Sequence, residues 1–326
     1  VTDGWIRGWN QAPGGHQIAI PRFRQSGRVV SMLVARGTTK IGAASMRWAL
    51  TFASRFWSVL VVRDGFTLDT RFVPAPDGAP KGNAILYVLL EGVWVELGGK
   101  KRTFNAPCSF LLTEEEYEGA HGKREAPYRA KGSPTFRALE LHFVESDMRV
   151  PYGEVTLSQA SWQAAKDAVD LGKHRTDEEL LTPVSALLRA LGADGVVTDS
   201  LVETATKDGS PTFARLWRAL RPMAERLYLA PSMSEVSQNT GMSERQIDRH
   251  VRSFVETFGL VGAGWRPATK HIRLRLAVLL LSAEDATIAD VAKMVGYGST
   301  DAMARAFRDA SLPPPTTVRE HVREPL

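Results

Sequence analysis

Residues 242–258 read MSERQIDRHVRSFVETF. Ser243 stands just before a helical period, with Gln246 three residues on. That is capping-box spacing: the hydroxyl accepts from an N–H of the first turn, and the amide reaches back to the backbone at Ser243. Behind the cap, Ile247, Val251, Phe254, Val255 and Phe258 share one face of a 3.6-residue helix. Arg245, Asp248, Arg249 and Arg252 share the opposite face. One side is suited to burial and the other presents three guanidinium forks. Such a helix fits the major groove of B-DNA, where Arg bonds guanine O6 and N7 in bidentate fashion. Alone, the same pattern also fits an ordinary amphipathic helix with a solvated basic face.

The flanking sequence decides between these. In residues 232–241, Ser232 and Glu235 form another capping box. Met233, Val236 and Thr240 make a short inner face, and Gly241 supplies a turn. A short helix, a Gly turn and a second helix with an exposed Arg face follow helix-turn-helix order. The pattern recurs downstream. Thr287 caps a helix with Ile288, Val291, Ala292 and Val295 inward, and Gly296, Tyr297 and Gly298 make the turn. Ser299 and Thr300 open a second helix with Met303, Ala306, Phe307 and Ala310 inward. Asp301, Ala304, Arg305 and Arg308 face outward. Ser243 and Ser299, Arg249 and Arg305, and Arg252 and Arg308 correspond at a constant offset of 56 residues, 243 to 299. Two such units could occupy successive major-groove segments about one DNA turn apart.

Residues 211–326 resemble the DNA-binding domain of the AraC/XylS family of bacterial transcription regulators. Gly241, Met242 and Ser243 open the first recognition helix, and Arg249, Phe254, Phe258 and Gly259 follow. Arg273, Leu274, Ala277, Leu280 and Leu281 repeat the family's connecting-helix pattern. Thr287, Ile288, Val291, Ala292, Gly296, Tyr297, Arg305 and Phe307 carry the second unit, and Pro315 to Arg319 the closing motif. The joint pattern is far more specific than a lone helix-turn-helix. Val318 departs from it, standing where the family has an aromatic ring, and residues 260–270 run longer than the family's segment. Asp248 and Asp301 are acidic on faces meant for DNA. Each would accept from cytosine N4, orient a neighbouring Arg, or only trim non-specific affinity.

Of 326 residues, 44% are hydrophobic and 24% charged, which argues against disorder and fits two domains. No apolar run reaches the ~20 residues of a membrane span. The opening VTDGWIRGWNQAPGG lacks a signal-peptide layout, so a cytoplasmic protein is expected. The single Cys, Cys108, excludes an internal disulfide and any multi-Cys zinc site. Residues 211–326 hold 14 Arg and 2 Lys against 12 Asp and Glu, so four of the chain's five net positive charges lie there. Arg rather than Lys suits bidentate recognition of phosphate and guanine.

Residues 1–27, with Gly, Arg and Trp, read as a loose entry. Short apolar runs follow at 29–34, 56–62 and 83–90. Val93, Val95 and Leu97 alternate with Trp94 and Glu96, Gly98 and Gly99 mark a hairpin, and Leu139, Leu141 and Phe143 alternate with Glu140 and His142. These predict a sandwich or barrel. Residues 87–112 resemble a cupin-type strand–turn–strand run. Residues 74–82 and 113–131 read as loops. From Leu157 the spacing turns helical, through Trp162, Ala165, Val169 and then Leu180 to Leu191. Residues 192–209 read as a break, and Pro222 is expected to kink or restart a helix opened by Ser210 and Pro211. The segment 211–221 then reads as a connector, and 222–229 as the first helix of the DNA-binding unit.

The expected architecture is therefore α+β and multidomain. Residues 1–156 form a cupin-like β-barrel that senses an effector, 157–210 a helical connector suited to dimerisation or to buffering the barrel, and 211–326 an all-α domain with two helix-turn-helix units. Ser243, Arg245, Asp248, Arg249, Arg252, Ser299, Thr300, Asp301, Arg305 and Arg308 are the DNA-binding candidates, with helix-start N–H groups holding phosphates. The resemblance implies double-stranded DNA and RNA polymerase as partners, and is compatible with a small-molecule effector, a homodimer and an activator.

No cofactor or metal is expected. His16, His121, His142 and His174 are isolated, without the His-x-His strand of metal cupins, and no spacing assembles a nucleophile with its base. His142 on the face of Glu140 reads as a satisfied structural histidine. Cys108, beside Phe110 and Leu111, reads as a small buried hydrophobe, and Glu114, Glu115, Glu116 and Glu118 as a solvated charge run. Trp48, Phe52, Phe56, Trp57, Phe66, Phe72, Tyr87, Trp94 and Phe104 could be core or line a cavity. Two alternatives stand beside the regulator: a non-metal cupin-type enzyme with a basic helical appendage, and a DNA-binding protein whose N-terminal half only dimerises or docks a protein.

Overall fold

The computed structural model describes residues 32–53, 56–73, 83–96, 102–113, 130–205, 210–226, 231–258, 260 and 264–324. The entry segment, the 74–82 loop, Gly98 and Gly99, the acidic run at 114–118, His16 and His121 lie outside the described residues.

Among the described residues, ten strands come first. They are β1 (Leu33–Ile41), β2 (Ala44–Ala53), β3 (Phe56–Asp64), β4 (Asn83–Glu91), β5 (Val93–Glu96), β6 (Thr103–Asn105), β7 (Cys108–Thr113), β8 (Ala130–Gly132), β9 (Phe136–Val144) and β10 (Gly153–Glu154). They form a seven-stranded sheet in the order β1-β2-β3-β9-β4-β7-β10 and a three-stranded sheet, β6-β5-β8. The pairings are antiparallel. This is a β domain of two antiparallel sheets, in line with the sandwich or barrel that the alternating runs predict. Strand β2, ASMRWALTFA, escapes the periodicity argument because apolar side chains occupy both of its faces.

The period of two sorts the large sheet into two buried faces. Leu139, Leu141 and Phe143 of β9, with Leu60, Leu86 and Leu111, share a core with the helices α1 (Gln159–Val169), α2 (Asp177–Ala193) and α3 (Asp199–Ala205). Ser158 caps α1, and Thr176 with Glu179 forms a capping box on α2. Helix α3 corrects the break expected at 192–209. Gly192 lies inside α2, the turn falls at Gly195 with φ of 70°, and Thr198 Oγ1 accepts from Leu201 N–H at 3.3 Å to start a new helix. Leu201 and Ala205 are buried.

Among the described residues, seven further helices follow: α4 (Pro211–Glu225), α5 (Met233–Thr240), α6 (Glu244–Phe258), α7 (Trp265–Leu281), α8 (Ile288–Met294), α9 (Thr300–Arg308) and α10 (Pro315–Arg323). Helix α4 runs through Pro222 without restarting, contrary to the division expected at 221/222. Pro222 falls in the last turn. It forfeits one hydrogen bond there, while its carbonyl still accepts from Arg226 N–H at 2.9 Å. The whole of α4 therefore belongs to the first unit, and Leu216, Trp217 and Leu220 pack with α5 and α6.

The opposite face of the large sheet carries the C-terminal helices. Phe52 and Ala35 at the β1–β2 end join the core of α4, α5 and α6. The Phe52 ring lies 5.0 to 5.2 Å from the rings of Trp217, Phe254 and Phe258, and Trp217 Nε1–H donates to Val34 O at 2.8 Å. Further along, Met46, Tyr87, Leu89, Phe110, Ala138 and Trp94 join the core of α7 to α10. Polar ties reinforce this contact. Thr67 N–H donates to Ser282 Oγ at 2.8 Å, and Lys131 Nζ donates to Glu324 O at 2.5 Å. Each helix-turn-helix unit thus shares a hydrophobic core with a different part of one sheet. No described helix is long and apolar enough to cross a membrane.

Candidate nucleic-acid interface

In the first unit both expected capping boxes form. Ser232 N–H donates to Glu235 Oε2 at 2.6 Å and Glu235 N–H to Ser232 Oγ at 3.2 Å. Ser243 N–H donates to Gln246 Oε1 at 2.9 Å and Gln246 N–H to Ser243 Oγ at 3.3 Å. Between them Gly241 takes φ of 63°, the left-handed conformation that a C-terminal glycine adopts without strain. Arg215 of α4 donates to Thr240 O at 2.8 and 2.5 Å, satisfying a carbonyl at the end of α5.

Helix α6 buries Ile247, Val251, Phe254, Val255 and Phe258, as the sequence pattern predicts. Ser243, Arg245, Arg249 and Arg252 are exposed, and Asp248 is half-buried. Asp248 accepts from Arg252 Nε at 2.9 Å.

The second unit repeats the construction. Thr287 Oγ1 accepts from Asp290 N–H at 3.1 Å, Gly296 takes φ of 82°, and Ser299 Oγ accepts from Ala302 N–H at 3.1 Å. Met303 and Phe307 of α9 are buried. Ser299, Thr300, Asp301, Arg305 and Arg308 are exposed. Val318 is fully buried, so the position holds core with an aliphatic side chain instead of a ring. Arg323 of α10 donates to Leu281, Ala283 and Ala286 carbonyls and fastens α10 to the end of α7.

Sequence reasoning missed the groups that seat this domain on the sheet. Glu140 of β9, 7% exposed, accepts from Tyr87 Oη at 3.2 Å and lies 3.4 Å from His142 Nε2 and 3.6 Å from an Arg275 nitrogen of α7. Burial alone would raise its pKa. The His142 hydrogen bond, the Arg275 charge and the Tyr87 bond outweigh that and hold it at about 2. The His142 ring stacks on Trp57 at 3.6 Å, and burial lowers its pKa, so the neutral ring donates through Nε2. His142 is the satisfied structural histidine that was expected. Arg63 is buried beneath the cluster, its pKa pushed down to about 9 by burial, with its guanidinium carbon 4.1 Å from the Phe136 centroid. Cys108 is half-buried, and burial followed by the Glu154 charge pushes its pKa up to about 11, so it is a thiol.

The cluster gives the docked arrangement a pH dependence. His271 of α7 is lowered to about 4 by burial and by Arg275, and His142 is lowered too. A base whose folded pKa lies below its unfolded value of about 6.5 contributes stability that is complete above that pH and lost as pH falls. Glu140 adds stability that is present above about 4.3 and lost as pH falls toward 2. The melting temperature is therefore expected to decline from about pH 6.5 downward, and His271→Gln to flatten the slope between 6.5 and 4. A melting temperature constant from about pH 7.5 to 5 would contradict this.

Two units of this geometry on one chain define a double helix-turn-helix protein. Residues 236–321 match the helix-turn-helix domain family. The C-terminal segment is a helix-turn-helix domain. Among solved structures, ToxT from Vibrio cholerae is similar at 8% identity, over 89% of this chain and 98% of that one, with a TM-score of 0.34. The AraC-like transcriptional activator CuxR is similar at 15% identity, over 81% and 92%, with a TM-score of 0.30. An RmlC-like cupin from Shewanella frigidimarina is similar at 14% identity, over 34% of this chain and 84% of that one, with a TM-score of 0.21. A comparison with curated proteins finds no match. The assignment rests on the helix-turn-helix match.

Proposed function

We propose that this chain reads a specific DNA site with both helix-turn-helix units and adjusts that reading through its N-terminal domain. Arg245, Arg249, Arg305 and Arg308 contact bases and phosphates. Arg252, held by Asp248, presents its fork in a fixed orientation. Ser243, Ser299, Thr300 and the adjacent N–H groups hold phosphates, and Asp301 accepts from a base or turns a neighbouring Arg. The observation that carries this reading is that both candidate helices bury their apolar faces and expose their guanidinium faces.

The N-terminal domain, residues 1–156, responds to a small molecule, and 157–210 supports a homodimer. RNA polymerase is the protein partner, the cytoplasm is the site of action, and the chain performs no catalysis. The continuity of both helix-turn-helix cores with the large sheet supports a coupling of this kind, because a change in the sheet alters the seat of both units.

Selection of bound fragments from random DNA, followed by footprinting on the selected site, tests the reading. Affinity for that site should fall steeply with salt. Each neutralised phosphate steepens the log–log slope by about 0.9, so five contacts give about −4.5. A slope near zero, or no selected site, would remove the regulator reading.

A further inference from the structure

The two candidate recognition helices carry opposite charge at one matching place. The offset of 56 residues that takes Ser243 onto Ser299 also takes Arg245 onto Asp301 and Asp248 onto Ala304. Arg245 and Asp301 are each the second residue of their helix, α6 and α9. We propose that Asp301 is a specificity-determining residue that reads a cytosine. Its carboxylate accepts from the N4 amino group at the place in the second half-site where Arg245 takes a guanine in the first. This rests on the regulator reading for the presence of DNA, and adds the base that one side chain selects.

In a helix-turn-helix unit the first residues of the recognition helix meet base edges, while phosphate contacts fix the helix in the groove. Asp301 is exposed in the first turn of α9. A carboxylate on one methylene is short, so it reaches a base only where the start of its helix approaches closely. The surroundings of Asp301 are open enough for that. A Cβ built on Gly298, in the turn before the cap, meets nothing within 4 Å. Ala304, one turn further along the same face, is exposed and ends at its Cβ.

The acidic groups of the two heads are also in different states. Asp248 is engaged by Arg252, four residues on, at 2.9 Å. The start of α7 closes on that pair, since a Cβ on Gly264 would stand 3.1 Å from Asp248 Oδ1. Asp301 has the same spacing to Arg305, yet no such pair forms there. Among the described residues, no hydrogen bond or ion pair engages the Asp301, Arg305 or Arg308 side chain. Asp301 is left an acceptor without a donor, on the face that meets DNA.

A free carboxylate among phosphates raises the energy of every complex in which it finds no donor. The major-groove edges of the bases differ in what they offer it. Guanine presents two acceptors, and thymine an acceptor beside its methyl, so both repel it. Cytosine presents the N4 donor, and adenine a donor beside an acceptor. One group therefore penalises the wrong bases and is satisfied by cytosine, which is how a short side chain discriminates. Arg245 has the reverse chemistry, because its guanidinium only donates and guanine only accepts.

Selection of bound fragments from random DNA by the full chain, as wild type and as Asp301→Asn, tests the assignment. Asn matches the carboxylate in shape and bonds adenine at N6 and N7. One position of the selected site should change from cytosine to adenine while the others stay. On duplexes that differ at that base pair alone, wild type should prefer cytosine about fivefold or more, and D301N should prefer adenine. D301R should bring guanine to the same position, as Arg245 does in the first half-site. Asp301 is exposed, so both variants should melt as wild type does. An identical selected site for wild type and D301N would overturn the proposal. So would D301N binding that tightens equally on all sequences, since the carboxylate would then only weaken the hold on phosphates. In both cases a selected wild-type site leaves the regulator reading standing. A wild-type chain that selects no DNA overturns that reading and the cytosine assignment with it.

Discussion

Glu140→Ala should destabilise the protein by about 3 kcal/mol, the low end of the range for removing one partner of a buried ion pair. The carboxylate serves three groups at once, and its loss removes the acceptor that the hydroxyl of Tyr87 and the ring N–H of His142 share. Arg275 is 36% exposed, so water recovers part of its charge interaction and the low end of the range applies. Glu140→Gln keeps a carbonyl acceptor for one donor and should cost about 1–2 kcal/mol. The loss should be local as well as global. Glu140 sits on β9 and Arg275 on α7, so amide exchange in α7 should quicken more than exchange in α1 or α2. If Glu140→Ala melts like wild type, the cluster does not hold the helix to the sheet.

That cluster also marks where sequence stops being informative. The reading heads are legible because their determinants are local: Ser243 with Gln246, Ser232 with Glu235, and an apolar stripe at helical spacing. Each is decided within a few residues, and each forms as the spacing predicts. The β domain is partly legible, since β9 alternates cleanly and β2 does not. Docking is not legible. Trp217 finds Val34 across 183 positions of sequence, and no periodicity in either segment encodes the other. Two local rules were also outweighed. Pro222 ends no helix because it falls where only one hydrogen bond is at stake, and α3 forms inside a Gly-flanked stretch because Leu201 and Ala205 find a core to enter. Asp248 was ambiguous in sequence for a third reason: its partner, Arg252, shares its helix face with two other arginines.

The division of the heads between two cores leads to the strongest functional expectation. Arg249 belongs to a helix whose core is completed by Phe52 and α4, and Arg305 to one whose core is completed by α7 and the middle of the sheet. Both side chains are exposed, so truncating either should leave the melting temperature unchanged. Each single Ala variant should lose about 1–3 kcal/mol of site-specific binding and relax the preference at one base pair. Because the two side chains share no partner, their effects should nearly add. R249A/R305A should then lose about 2–6 kcal/mol, roughly 30-fold to 10⁴-fold in affinity. Arg252→Ala offers a contrast, since that guanidinium is partly neutralised by Asp248 at 2.9 Å. Its loss should weaken binding more evenly across sequences, as the loss of a phosphate contact does. Footprints of R249A and R305A identical to wild type would show that these side chains do not read bases. A double variant no weaker than the worse single one would show that the two heads do not grip DNA together, and that the seating of both on one sheet serves something other than their joint reading.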